Sequence, residues 1–443
     1  MKVSSCTKRL SLFFAFNFLV LNLILIFAGT SWHETVFFET FIFVHRAANI
    51  YLERPVQQAA DSWDPMLRGL DYQLTPHESP LYTQIFFQER IKFQYPPTSL
   101  LFIYPVRLLT RDATAVLDWI SWIFVLAISV LIAHLGLQWI DKQPENTAAG
   151  KHDRVIRFLI LMLYSLTFYP LMKGLSLGQI QTWISLLITL LVFAWWKNKE
   201  IPAGICGALI ALIKPQYLLL LFWGLLRRKT SFVLTFAITA GVGLCLSLVL
   251  FGFEPLWNYF GVLQFLSEHG EAYRANQSVN GLLHRLFLNG EILTFEKFSF
   301  PPFHQAVYQG TLLSSIVLVL LAIRRPQHAG TASGNLPDLA IIVLTITIAS
   351  PIAWEHHYAA LLPIFAMLIA FPLQRPQKLL LLGAYVFASN YFAFTKHFSY
   401  TAGANLIQSY LLVSGLLVLT ILYRVRSQAC PDLIPCIGEE HRI

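Results

Sequence analysis

Apolar segments of roughly 20 residues recur along the whole chain, and that recurrence leaves few folds open. They lie near 10–30, 115–139, 155–172, 180–196, 231–252, 308–323, 336–349, 358–373, 378–394 and 405–423. A backbone in hydrocarbon must satisfy its own N–H and C=O groups, so only helices or a closed barrel can cross. Segments of this length fit helices. The residue balance agrees: 56% are hydrophobic and 13% charged, against about 25% charged in a soluble protein. The expected fold is all-α, a polytopic membrane helical bundle of about 10–12 transmembrane or re-entrant helices. It forms a single domain over 1–426, and 427–443 is a cytoplasmic tail.

The net charge of +8 comes from Lys/Arg groups at segment ends. They read as topology signals, because they lack the continuous basic stripe of a nucleic-acid surface. Lys2, Lys8 and Arg9 precede the first apolar run, which reads as an uncleaved signal-anchor with its N-terminus in the cytoplasm. Lys142 to Arg157, Lys197/Lys199, Arg227-Arg228-Lys229, Arg324-Arg325, Arg375/Lys378 and Arg424/Arg426 then mark cytoplasmic ends. Lys214-Pro215 divides 201–226 into two short halves, so Lys214 falls at the far tip of a hairpin. Segment 95–109, interrupted by Pro96, Pro97 and Pro105, cannot be a full span under this parity. The long polar stretch 31–94 becomes a periplasmic loop with short amphipathic helices, over 41–52 and 56–70, and 253–304 a second periplasmic loop. The five cysteines show neither metal nor redox spacing.

One stretch stands out: Ser350-Pro351-Ile352-Ala353-Trp354-Glu355-His356-His357-Tyr358, between two apolar runs. Ionisable groups placed there point to a functional site. An interfacial turn with Trp354 and Tyr358 as membrane-surface anchors is the plainer reading. By the topology above it shares a face with 31–94, Gly178-Gln179, Lys214-Pro215 and 253–304.

Such a face suits an enzyme that moves a sugar from a lipid phosphate to a hydroxyl. A carboxylate must take the acceptor proton, and cations or donors must stabilise the departing phosphate. Glu39 and Glu34, just beyond the first span, are candidate bases, with Asp61, Asp64 and Asp71 farther along. Lys214, His356, His357 and Arg274 are candidate phosphate binders; adjacent histidines face differently, so one of the two is expected to enter the site. Gln179, Glu355, Asn276 and Gln277 are further substrate-binding candidates, and Tyr95 and Trp354 can stack on a sugar or shape the lipid entrance. Asn276-Gln277-Ser278 also matches a glycosylation sequon. No metal-ligand spacing is seen, and no cofactor is expected.

Five motifs in order carry a resemblance. They are Phe93-Gln94-Tyr95-Pro96-Pro97, Gly178-Gln179-Ile180-Gln181, Ala211-Leu212-Ile213-Lys214-Pro215-Gln216, Asn276-Gln277-Ser278-Val279-Asn280-Gly281, and Ser350 to His357. From about residue 40 to 375 the chain resembles glycosyltransferase family 87 of the C-type membrane superfamily. The resemblance implies a polyprenyl-phosphate sugar donor, usually mannose, and a glycan or glycolipid acceptor. It also implies inverting, metal-independent transfer on the extracytoplasmic face of the inner membrane. The family's catalytic Asp lies shortly before a pair of alanines, here Ala47-Ala48; the matching position is Phe41, so Glu39 is the substitute expected here. Two other classes stay open: a lipid-linked sugar transporter or flippase, and a non-catalytic membrane subunit of envelope polysaccharide assembly.

Overall fold

The computed structural model describes residues 4–27, 35, 40, 63–141, 150–324, 332–392, 395 and 403–427. Among them every extended element is a helix. In order these are α1 (Ser5–Phe27), α2 (Asp64–Leu74), α3 (Tyr104–Leu109), α4 (Ala113–Asp141), α5 (Lys151–Leu166), α6 (Tyr169–Ser176), α7 (Gln181–Trp196) and α8 (Glu200–Ile213). There follow α9 (Leu219–Leu226), α10 (Thr230–Phe251), α11 (Glu254–His269), α12 (Val279–Leu286), α13 (Gln305–Ile323), α14 (Ala332–Ala349), α15 (Leu361–Leu368), α16 (Arg375–Ser389) and α17 (Tyr410–Ser427). Five described helices are long and apolar enough to cross a membrane: α1, α4, α10, α13 and the one containing α17. Together they make the chain an all-α polytopic membrane protein.

Prolines set the breaks. Pro215 biases the residue before it away from helix, so α8 stops at Ile213 and Lys214 is extended (φ −132°, ψ 100°). Pro170 stands at the start of α6, which turns 57° from α5. Pro97 opens a short 3-10 helix, Pro97–Phe102, and Pro105 opens the six-residue α3, too short to cross. The expected amphipathic helix over 56–70 is seen as α2 from Asp64 onward; the one over 41–52 lies outside the described residues.

Two ends of the bundle are chemically distinct. At one end Arg157 is fully buried and bonds Asp141 (3.2 Å), Asp153 (2.9 Å), Thr7 and Ser4. Lys229 meets Glu200 at 3.2 Å. Asp338 takes Arg227 (2.7 Å), Arg426 (2.9 Å) and the Trp223 indole N–H (2.7 Å). These are the basic helix ends singled out above. The helices run away from them: α8 climbs from Glu200 to Lys214, and α14 continues past Asp338 to Ser350. Gly178-Gln179, Lys214, 252–304 and 350–358 therefore gather at the other end. A separate polar contact ties α1 to the end of α16, where Asn17 and Asn22 bond Ser389 and Asn390 at 3.0 Å.

Candidate active site

At the end opposite the basic cluster lies a cavity of about 620 Å³. Gln94 and Tyr95 line it from the segment before the Pro97 turn, Gln179 from the α6–α7 turn, and Lys214 and Gln216 from the α8–α9 break. Ser350 to Ile352, Trp354 and His357 close it from the turn after α14.

Lys214 is the centre of this arrangement. Its side chain is buried, and its Nζ donates to Gln181 Oε1 (2.8 Å) and stands 2.7 Å from His357 Nε2. Neither partner is an acid, Gln181 being an amide and His357 an imidazole, and no carboxylate pairs with Lys214 among the described residues. The ring planes of His356 and His357 stand at 89°. Only His357 reaches the cavity; His356 is buried behind it, its Nε2 without a hydrogen-bond partner. Gln179 Oε1 also has none, although Gln179 lines the cavity.

The remaining sequence candidates divide. Tyr95 and Trp354 line the cavity, Trp354 standing edge-on to Phe295 at 5.7 Å. Asn276, Gln277 and Glu355 do not line this cavity. Asn276 is fully buried; its Nδ2 donates to the carbonyls of Glu271 (2.8 Å) and Pro351 (3.0 Å), and its Oδ1 accepts from the N–H of Ala353 (2.9 Å). Gln277 donates to the carbonyls of Arg274 (2.8 Å) and Gln408 (2.7 Å) and accepts from Leu411 N–H (3.1 Å). Gln277 N–H also reaches Ala353 O (2.7 Å), and Glu355 N–H reaches Ala275 O (3.1 Å). With their polar atoms used internally, these amides clamp the 271–281 loop to the 351–358 turn. Glu355 accepts from the hydroxyls of Tyr169 (2.7 Å) and Tyr410 (3.1 Å), away from the cavity. Arg274 is buried between the rings of Tyr273 and Tyr391, 5.6 and 5.4 Å from their centroids.

Among the candidate bases, Glu34, Glu39 and Asp61 lie outside the described residues. Asp64 is exposed at the start of α2, beside Pro65, which lines the cavity. Asp71 is held by Arg107 at 2.7 Å. Two participants escaped the sequence reading. Gln181, quoted in a motif, supplies a partner for Lys214 through the first turn of α7. Lys92 lines the cavity and pairs with Glu271 at 2.7 Å, its ammonium 4.4 Å from the ring centroids of Phe295 and Phe300. Burial pushes the Glu271 carboxyl up against the opposing pull of Lys92.

The sequence profile of the glycosyltransferase family 87 matches residues 93–351, a stretch that holds Tyr95, Gln179, Lys214 and Asn276. The chain belongs to glycosyltransferase family 87. It is similar to a polyprenol-phosphate-mannose-dependent alpha-(1-2)-phosphatidylinositol mannoside mannosyltransferase of Mycobacterium tuberculosis, with 25% identity over 281 residues. That match covers 62% of this chain and 61% of the relative's length. As a family 87 member with apolar spanning helices, the chain is a multi-pass membrane protein. Gln179 and Lys214, within the family match, and His357, just beyond it, meet at one cavity.

Proposed function

We propose that this protein transfers a mannosyl group from a polyprenyl-phosphate donor to a hydroxyl of a glycan or glycolipid, with inversion and without a metal ion. The supporting observation is Lys214. A buried ammonium without a paired carboxylate among the described residues needs an anion to offset its lost hydration. A donor phosphate would supply one, and His357 and Gln179 stand beside it to bond further oxygens. The choice of mannose rests on the donor in the relative's name.

In this reaction a carboxylate of the first loop takes the proton from the acceptor hydroxyl. Glu39 is the first choice, with Asp61 or Asp64 in its place if the loop folds otherwise. The oxygen attacks the anomeric carbon from the side opposite the phosphate. The bond from that carbon to the phosphate oxygen breaks, and polyprenyl phosphate leaves with its charge held by Lys214. The basic helix ends, gathered at the other end of the bundle, support a cytoplasmic position there, and with it a cavity that faces the periplasmic side of the inner membrane.

Purified protein in detergent, given radiolabelled polyprenyl-phosphate mannose, EDTA and a membrane lipid extract, is expected to form labelled product. Glu39→Gln should reduce the rate by about 10²–10⁴-fold, the range for loss of a general base. Product that survives this change moves the base to Asp61 or Asp64, tested as Asp61→Asn and Asp64→Asn. Donor binding without transfer by the unaltered protein would support the transporter reading instead.

A further inference from the structure

Resting on the reading of the donor as a polyprenyl phosphate, we propose that the donor's isoprenoid chain leaves the cavity sideways, through the groove between α9 and α13 with α14 as its floor. α9 and α13 both pack on α14. Leu219 of α9, Val319 of α13 and Ile346 of α14 all line the cavity that holds Lys214. The one polar side chain of α13 on this wall, Ser315, turns its hydroxyl onto Ala349 O at 2.7 Å, so the wall offers a passing chain only hydrocarbon.

The outer faces of the same two helices are apolar and exposed, at Phe222 and Leu225 on α9 and at Ile316 and Leu320 on α13. A chain between them would pass from the cavity wall directly into lipid. The groove is closed at its far end. There Arg227 donates to the carbonyls of Ile323 (3.1 Å) and Arg324 (3.0 Å), joining the end of α9 to the end of α13. α9 has eight residues, or about 12 Å of helix, most of one leaflet of about 15 Å. The groove therefore opens to one leaflet and stops before the basic end. Charge and polarity run the same way: the ammonium of Lys214 is at the inner end, where a phosphate would sit, and the hydrocarbon wall leads outward from it. The other apolar part of the cavity, Leu263 and Leu266, belongs to α11, which also carries Glu254, Glu268 and His269 and suits the surface better than the acyl layer.

The test compares mannosyl phosphates of undecaprenol and of citronellol as donors. Leu219→Trp and Val319→Trp, which fill the groove, are expected to lower the undecaprenyl-to-citronellyl ratio of kcat/KM by about tenfold or more. Val249→Trp, on the exposed face of α10 and away from the cavity, should leave that ratio unchanged. An unchanged ratio in both groove variants overturns the proposal. A second measurement uses the unaltered protein, so it survives misfolding of either variant. Undecaprenyl phosphate carrying a diazirine near its phosphate end should label peptides from 219–226 and 305–323; labelling confined to other helices overturns the proposal. If the unaltered protein transfers from neither donor, the transferase reading fails, while the labelling result still decides the groove.

Discussion

Lys214→Met is expected to lower kcat/KM for the polyprenyl-phosphate donor by at least about thirtyfold while the protein stays folded. Methionine keeps most of the length and apolar bulk of the lysine stem but removes the charge. Loss of one partner from a buried, hydrogen-bonded charge pair costs about 2–5 kcal/mol, and each 1.4 kcal/mol is about tenfold. The groups left behind are Gln181 and His357. His357 opens onto the cavity, where water can replace the lost bond, so the melting temperature should move little. Lys214→Arg keeps the charge but brings a broader planar head into a space fitted to one ammonium; partial activity is expected. Donor titrations with single-turnover rates separate binding from chemistry. A Lys214→Met protein that melts normally and transfers at close to the original rate removes Lys214 from the site, and with it the observation that supports the phosphate assignment.

The features of Lys214 that sequence makes visible are local ones. An X-Pro pair between two apolar halves forces a break, and a lysine there has little reason to exist without a partner. The long spans are visible for a similar reason: continuous hydrocarbon over the thickness of a bilayer admits only helix. Pairings between distant segments leave no such trace. Lys92 and Glu271 are 179 residues apart, and nothing in either neighbourhood marks the other. Gln181 escaped notice because an amide at the start of a helix has the same appearance whether it faces a lysine or water. Asn276 and Gln277 show the converse. Buried amides that bond backbone and amides that bond substrate share one composition, and only the geometry of Ala353, Pro351 and Leu411 tells them apart. The base is the least legible element, since several carboxylates in one polar loop are chemically equivalent until the loop's path is known.

Asn276→Ala therefore provides the sharper test of the clamp: it should lower the detergent melting temperature by at least about 5 °C, with activity falling as a consequence. Asn276 is fully buried and joins the 271–281 loop to the 351–358 turn through both ends of its amide. Alanine would leave the N–H of Ala353 and the carbonyl of Glu271 without those bonds in a space closed to water. Each orphaned buried group costs about 1–3 kcal/mol, and about 1 kcal/mol moves the melting temperature by roughly 2–4 °C in chains of a few hundred residues. Asn276→Asp should fare no better, because it sets carboxylate oxygen against the two carbonyls that Nδ2 now serves. The backbone leaves no slack for repacking: a Cβ on Gly281 would collide with Asn276 O, so the α12 start is already in contact with this residue. A sugar-binding amide would behave in the opposite way. Its loss would raise the donor KM with the melting temperature unchanged, and that outcome would return Asn276 to the substrate. If instead stability falls first, Trp354 and His357 lose their fixed positions because the turn that carries them has lost its anchor, and the cavity depends on a contact that no ligand touches.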